Sequence, residues 1–194
     1  MEVLYFTNED ITDWDIIPDI IRKTGDNVIT HTSRVTLELV KKHKIDFIVS
    51  DRSRFLIKKD VIDYLPMKIV NLHPSYLPWN RGYHPNYWSI KERTRFGVSL
   101  HFIDEAIDTG DIIARSETFY SDDDTLRDTY NRLRRLMVNL FEACWPEVRV
   151  GKIKGISQDK NKGSIHYKKD FETIYDSLPN GWDTKVSLIT ENCI

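Results

Sequence analysis

Ile45-Asp46-Phe47-Ile48-Val49 and, further on, Met67-Lys68-Ile69-Val70-Asn71-Leu72 are two apolar runs separated by a short helical pattern, Lys58 to Leu65. Near-continuous apolar runs of this length fit strands buried on both faces, the habit of parallel sheets covered by helices. The same rhythm extends upstream. Val3-Leu4-Tyr5-Phe6 is β-rich and ends in the turn cluster Thr7-Asn8-Glu9-Asp10. Thr12 or Asp13 then caps a helix whose Trp14, Ile17, Ile20 and Ile21 fall at helical spacing. Ser33 caps a further helix with Leu37, Val40 and the stem of Lys41 on its buried stripe. Strands alternating with helices predict an α/β fold, a doubly wound and mostly parallel sheet with helices on both sides.

Downstream the pattern changes. Residues 98–103 alternate and 112–119 partly do, so two more strands are expected. Asp123 or Asp124 caps a long helix carrying Leu126, Tyr130, Leu133, Met137, Leu140, Phe141 and Cys144, which Pro146 interrupts or ends. Residues 1–150 therefore read as one domain. Residues 151–194 read as a polar extension with no fold of its own, serving a protomer contact or the rim of a site, which leaves a homodimer open.

With 40% hydrophobic and 30% charged residues there is enough apolar material for a core, and disorder is excluded. A formal charge of −2 offers no global attraction for nucleic acid. Two cysteines, Cys144 and Cys193, cannot make a disulfide framework and point to a reducing compartment. No leader-like start and no apolar run of membrane-spanning length is present, so a cytoplasmic protein with no membrane partner is expected. No His, Cys and carboxylate set has ligand spacing, so no metal is expected; Asp122-Asp123-Asp124 suits the start of a helix instead.

The densest chemistry follows the second run, in Asn71-Leu72-His73-Pro74-Ser75-Tyr76-Leu77-Pro78-Trp79-Asn80-Arg81-Gly82. On a strand, Asn71 and His73 point to the same side, and Pro74 helps end the strand there. An amide donor beside an imidazole at a strand's carboxyl end suits acyl transfer, one holding a developing oxyanion while the other moves a proton. Taken alone, His73 is accounted for as well by a histidine satisfied in a turn.

Three further stretches lift it above that. Asn71 to Pro78, Arg81-Gly82, Gly97 to His101, and Ile107-Asp108-Thr109-Gly110-Asp111 together resemble the motifs of the folate-dependent formyltransferases, in the right order over about half the chain. The family includes glycinamide ribonucleotide, methionyl-tRNA and amino-sugar formyltransferases. The resemblance implies the family's Rossmann-like fold, 10-formyltetrahydrofolate as cosubstrate, and Asn71, His73 and Asp108 as the catalytic set. Asn71 and protonated His73 would hold the oxyanion, while His73 and Asp108 manage the amine's proton; which of the two is the formal base stays open. By position, Ser53, Arg54, Phe55 and Leu56 form the folate loop. His101 is expected to pack or hydrogen-bond behind the site.

Departures from the family narrow the acceptor. The stretch after the first strand lacks the glycine-rich phosphate loop of glycinamide ribonucleotide formyltransferases and carries two acids, Glu9 and Asp10. The large C-terminal domain and basic surface of the tRNA enzymes are not expected here. Residues 80–88 and 163–171 resemble the sugar branch, which implies a nucleotide-linked deoxyamino sugar, typically on dTDP, and a place in lipopolysaccharide biosynthesis. Arg81, Gly82, His84 and Tyr167 are then the substrate-binding candidates, with Lys168 and Lys169 toward phosphates. A different small amine acceptor, a catalytically silent binding module and a formate-releasing hydrolase are the competing expectations.

Overall fold

The computed structural model describes residues 1–8, 16–159 and 161–191. Glu9, Asp10, Thr12, Asp13, Trp14 and Cys193, used above, lie outside them. In chain order the elements are β1 (Glu2–Phe6), α1 (Ile17–Lys23), β2 (Asn27–His31), α2 (Leu37–Lys42), β3 (Phe47–Asp51), α3 (Lys59–Tyr64), β4 (Ile69–His73), β5 (Arg81–Gly82) and α4 (Pro85–Lys91). β6 (Gly97–Phe102), β7 (Ile112–Glu117), α5 (Leu126–Val148), β8 (Ile165–His166), α6 (Lys168–Tyr175), a 3₁₀ turn (Gly181–Asp183) and α7 (Val186–Glu191) follow. Six strands form one sheet in the order β2-β1-β3-β4-β6-β7. β1 to β4 are parallel, and β6 and β7 join antiparallel, so the expected α/β sheet is mixed at one side. β5 and β8 make a separate two-stranded ribbon.

Alternation along the strands divides the core. Val3, Tyr5, Phe47, Val49, Val70, Leu72, Val98 and Leu100 pack with α1, α4 and α5 in one cluster. Leu4, Phe6, Ile48 and Ile69 pack with Val40 of α2 and Val61 of α3 in the other. The second face is thus covered by helices beneath β1 and β3, and Asn71 and His73 project from β4 to that same side. Phe171, Val186 and Ile189, from beyond residue 150, are buried in the first cluster.

Several local expectations need correcting. β2 was not anticipated: its residues are only half-buried at the sheet edge, so no apolar run advertises it. α2 is capped by Thr36, whose hydroxyl accepts from the Leu39 N–H at 3.2 Å, and not by Ser33. Lys41 is exposed, its ammonium lying over the Tyr64 ring. α5 is capped by Thr125 in a reciprocal capping box with Asp128, not by Asp123 or Asp124. Asp124 instead pairs with Arg132 at 2.7 Å. Pro146 sits within the last turn of α5, where its missing N–H is tolerated without stopping the helix before Val148. His31 ends β2. The polar extension beyond residue 150 carries β8, α6 and α7.

Candidate active site

Asp108 is the meeting point. Its backbone is left-handed, φ +52°, a conformation that is costly for a side-chain-bearing residue and recurrent at functional sites. From there its carboxylate receives the Gly82 N–H at Oδ2 (2.8 Å) and the Asn71 amide at Oδ1 (3.4 Å). His73 Nδ1 lies 3.5 Å from Oδ2 and His101 Nε2 3.5 Å from Oδ1. Asn71 and His101 are directly opposed across the antiparallel β4–β6 pair, which puts the Asn71 amide nitrogen 3.2 Å from His101 Nε2. His101 Nδ1–H donates to the Phe102 carbonyl at 2.7 Å, which leaves Nε2 facing both the Asn71 amide and the Asp108 carboxylate.

His73 is buried and spans two acceptors. The Asn80 carbonyl, 3.0 Å from Nε2, can only accept, so Nε2 carries a hydrogen and Nδ1 is the nitrogen facing Asp108. Burial drives the His73 pKa down; the Asp108 charge opposes this, while His101 and Arg81 add to the lowering. Burial alone would raise the Asp108 pKa, but His73, His101 and the Gly82 N–H hold it well below the usual carboxylate range. The site therefore keeps a firm anion beside an imidazole that gives up its second proton readily.

The surrounding framework comes from distant parts of the chain. Gln158 Nε2 donates to the carbonyls of Asp108 (2.9 Å) and Gly110 (2.8 Å), and its Oε1 accepts from Arg81 Nη2 at 3.1 Å. Arg81 is itself buried. Asn80 has φ +57° and uses its whole amide, donating to Glu92 (2.8 Å) and accepting from Ser89 (3.1 Å) and Thr94 (2.7 Å). Neither Gln158 nor Asn80 was singled out from sequence; a polar residue in a loop becomes conspicuous only when burial is known. A side chain on Gly82 is barred twice, by φ +86° and by the His166 carbonyl 2.3 Å from where its Cβ would stand.

The other candidates are scattered around this centre. Ser53 Oγ lies 3.1 Å from Ser50 Oγ, and the Phe55 ring lies under the Arg34 guanidinium. Leu56 is 68% exposed on an open cleft of about 490 Å³ that continues along Lys58, Lys59 and Asp60 to Glu105. Leu56 is thus an uncovered apolar side chain at the mouth of a cleft beside the start of α3, where Lys59 is held by Glu105. His84, φ +51°, stacks on Phe171 at 3.7 Å. Tyr167 begins α6 half-exposed and makes no hydrogen bond or ring contact with Asn71, His73 or Asp108. Among the described residues no group of His, Cys, Asp and Glu is arranged for a metal ion, and no helix is long and apolar enough to cross a membrane.

An amide, an imidazole and a carboxylate are thus gathered at the carboxyl end of a strand, where open α/β sheets bind their ligands, and the set is of a kind suited to acyl transfer. The chain belongs to the formyl transferase family, whose model matches residues 22–143. It is 37% identical, over the whole of both chains, to the formyltransferase PseJ of Anoxybacillus kamchatkensis, solved with UDP-4,6-dideoxy-4-formamido-L-AltNAc and tetrahydrofolate, and the two folds agree with a TM-score of 0.91. It is 32% identical over 71% of its length to the dTDP-4-amino-4,6-dideoxyglucose formyltransferase of Mycobacterium bovis, covering 56% of that protein. It is 33% identical over 64% of its length to the methionyl-tRNA formyltransferase of Fusobacterium nucleatum, covering 40% of that one. The chain thus spans about half the length, or less, of these curated relatives.

Proposed function

We propose that this protein transfers the formyl group of 10-formyltetrahydrofolate to the amine of a nucleotide-linked deoxyamino sugar, with Asn71, His73 and Asp108 as the catalytic set. The observation that carries the proposal is the convergence of Asn71, His73 and the Gly82 N–H on one ionised, backbone-strained carboxylate. His73, with Nε2–H fixed on Asn80 and its pKa lowered, is the base: its Nδ1 takes the amine's proton, and the imidazolium so formed rests against Asp108 until it gives that proton to N10 of tetrahydrofolate as the formyl C–N10 bond breaks. Asn71 supplies the oxyanion donor by releasing the longer of its two hydrogen bonds, the one to Asp108, toward the formyl oxygen. This departs from a His73 that is protonated before reaction.

Ser53 to Leu56 are proposed to hold the pterin and the cleft beside Leu56 the rest of the folate. Arg81 and Gly82 are proposed to serve the acceptor through the scaffold, Arg81 by its bond to Gln158 and Gly82 by its N–H on Asp108. His84 and Tyr167 remain candidates for contact with the acceptor. The likeness to PseJ, seen with a UDP-linked sugar, supports a uridine carrier over the thymidine carrier that the sequence motifs suggest. Residues 151–194 are proposed as an integral part of one catalytic unit with 1–150, and the reaction is placed in the cytoplasm, in the supply of formamido sugars for lipopolysaccharide. The test is a screen of UDP-, dTDP- and GDP-linked amino sugars, with glycinamide ribonucleotide as control, read by the mass gain of a formyl group. Turnover of glycinamide ribonucleotide alone would refute the acceptor class.

A further inference from the structure

The Asn80 carbonyl that meets His73 Nε2 belongs to a residue held from several sides. Glu92, the C-cap residue of α4, accepts the Asn80 side-chain amide at 2.8 Å and the Ser164 hydroxyl at 3.0 Å, both at Oε2. His166 Nε2 lies 2.9 Å from its other oxygen, and the His166 ring is stacked on Trp88 at 3.9 Å. Ser164 Oγ accepts the Asn80 backbone N–H in turn, at 3.0 Å. A carboxylate at a helix C-terminus faces the negative end of the helix dipole, a cost that these partners offset. We infer that Glu92 is a positioning residue for the transfer: through Asn80 it selects the His73 tautomer whose bare nitrogen, Nδ1, faces Asp108. The inference rests on His73 acting as the base in the proposed function.

The need for a selector follows from the two acceptors around a neutral imidazole. Asp108 is an ionised carboxylate 3.5 Å from Nδ1, and the Asn80 carbonyl is a neutral acceptor 3.0 Å from Nε2. A hydrogen bond to a charged group is about twice as strong as one between neutral groups, so at equal range the carboxylate would draw the single hydrogen to Nδ1. That tautomer has no lone pair there for the amine's proton. The carbonyl prevails only if it is fixed at close range while the carboxylate is kept further off. Both conditions are met. Asn80 keeps a left-handed backbone, φ +57°, and its amide is tied to Glu92, Ser89 and Thr94. The Ser75 hydroxyl, bonded to the Trp79 carbonyl at 2.7 Å, comes only to 3.4 Å of the Asn80 carbonyl and competes weakly with His73. Asp108 Oδ2 is engaged by the Gly82 N–H at 2.8 Å. Gly163, φ +93°, lets the Ser164 segment approach, since a Cβ there would stand 1.8 Å from the Pro78 carbonyl oxygen. One carboxylate thus joins α4, the start of β8 and the turn before β5, and what it governs is the place of a hydrogen on His73.

The experiment records ring-nitrogen chemical shifts of the full chain carrying isotopically labelled histidine, at neutral pH, where burial keeps His73 unprotonated. These shifts separate a nitrogen that bears hydrogen from a bare one, and the His73 pair is assigned by its loss in His73→Gln. Wild type should carry the hydrogen on Nε2. Glu92→Leu keeps the bulk of the side chain but accepts nothing, so its His73 should move toward hydrogen on Nδ1. Its kcat should fall about tenfold or more, the scale on which loss of a histidine's orienting partner is felt, with KM for the folate cosubstrate changed far less. Glu92→Gln retains an oxygen for the Asn80 and Ser164 donors. It should keep the wild-type tautomer and a kcat within about threefold, the worth of one weakened hydrogen bond. The Glu92 side chain is 32% exposed, so the core stays intact, as thermal melts would check. Asn80→Gly, which permits the same φ without the tied amide, is a second variant that should shift the tautomer as Glu92→Leu does. Hydrogen on Nε2 in every variant overturns the inference whatever the rates, as does hydrogen on Nδ1 in the wild type. A Glu92→Gln that behaves like Glu92→Leu overturns it too, because an acceptor would then not suffice to hold Asn80. The spectra need no substrate: a tautomer that answers to Glu92 in a protein that formylates no sugar nucleotide would refute the proposed acceptor and leave the inference standing.

Discussion

His73 has both ring nitrogens committed, one to a carbonyl and one toward a carboxylate, and that geometry determines how the site should respond to substitution. Removing a single oxyanion donor costs on the order of 3–4 kcal/mol in the transition state. Asn71→Ala should therefore lose turnover about a hundred- to a thousandfold while folate-analogue affinity changes far less, as steady-state kinetics and calorimetry would show. Groups that act as a unit are non-additive, so Asn71→Ala/Asp108→Asn should be little worse than the less active single variant. The pH profile follows from the signs. His73 works unprotonated, and burial lowers its pKa from the ordinary 6.5, so kcat/KM should rise with pH along a limb lying below that value and then level off. Asp108 raises the His73 pKa; in Asp108→Asn the limb should move to still lower pH and its plateau should fall. A limb at or above 6.5 would remove His73 from the base role. Asn71, His73 and Asp108 were legible in the sequence because two share a strand face and the third carries a motif. Asn80 and Gln158 were not, since what distinguishes them is burial and bonds to residues remote in sequence.

At the scale of elements, the local chemistry of strands and caps was only partly readable. The apolar runs of β1, β3 and β4 stand out because both their faces are buried, whereas β2 at the edge has no such run. Clustered acids before α5 and a serine before α2 drew the eye to the wrong caps; extended backbone at Thr36 and Thr125 decides the matter. The antiparallel entry of β6 was invisible in periodicity, yet it sets His101 against Asn71. Glycines test how closely elements meet. Gly25 and Gly82 have nearly the same positive φ, +83° and +86°, but only Gly82 has a neighbour, the His166 carbonyl, where a Cβ would stand. Gly25→Ala should cost about 1–2 kcal/mol for the left-handed backbone alone, lowering Tm while leaving kcat within about twofold. Gly82→Ala must also part β5 from β8 and withdraw an N–H from Asp108. It should lose at least about tenfold in kcat, an estimate scaled from the loss of one charge-assisted hydrogen bond. Equal kinetics in the two variants would show that the β5–β8 ribbon does not position the carboxylate.

Across the whole molecule, α5 is the common support. At its start the Leu126 carbonyl accepts from Asn86 of α4, and the Leu126 N–H donates to the Thr184 carbonyl from the extension. Just past its end Arg149 pairs with the buried Asp26 at 2.6 Å. Midway, Arg134 reaches Asp51 at 2.6 Å, and Asp51 also accepts from the Tyr5 hydroxyl at 2.8 Å, all three side chains being buried. Asp51 ends β3 and leads straight into residues 53–56, so this pair joins the stability of the sheet to the position of the proposed folate loop. Removing one partner of a buried ion pair leaves an uncompensated charge and costs about 3–5 kcal/mol, a large part of the 5–15 kcal/mol that holds a typical domain folded. Arg134→Met should lower the urea midpoint accordingly and weaken a folate analogue, because the loop's anchor is lost. Arg134→Met/Asp51→Asn removes the charge as well as its partner and should recover part of the stability, giving a coupling energy between the two sites. It should not recover folate affinity, since the bond that fixes the head of the loop stays broken. If the two losses add without coupling, Asp51 is satisfied by its other contacts and α5 supports the sheet but not the loop; if stability and affinity recover together, the folate effect of Arg134→Met was only a consequence of partial unfolding.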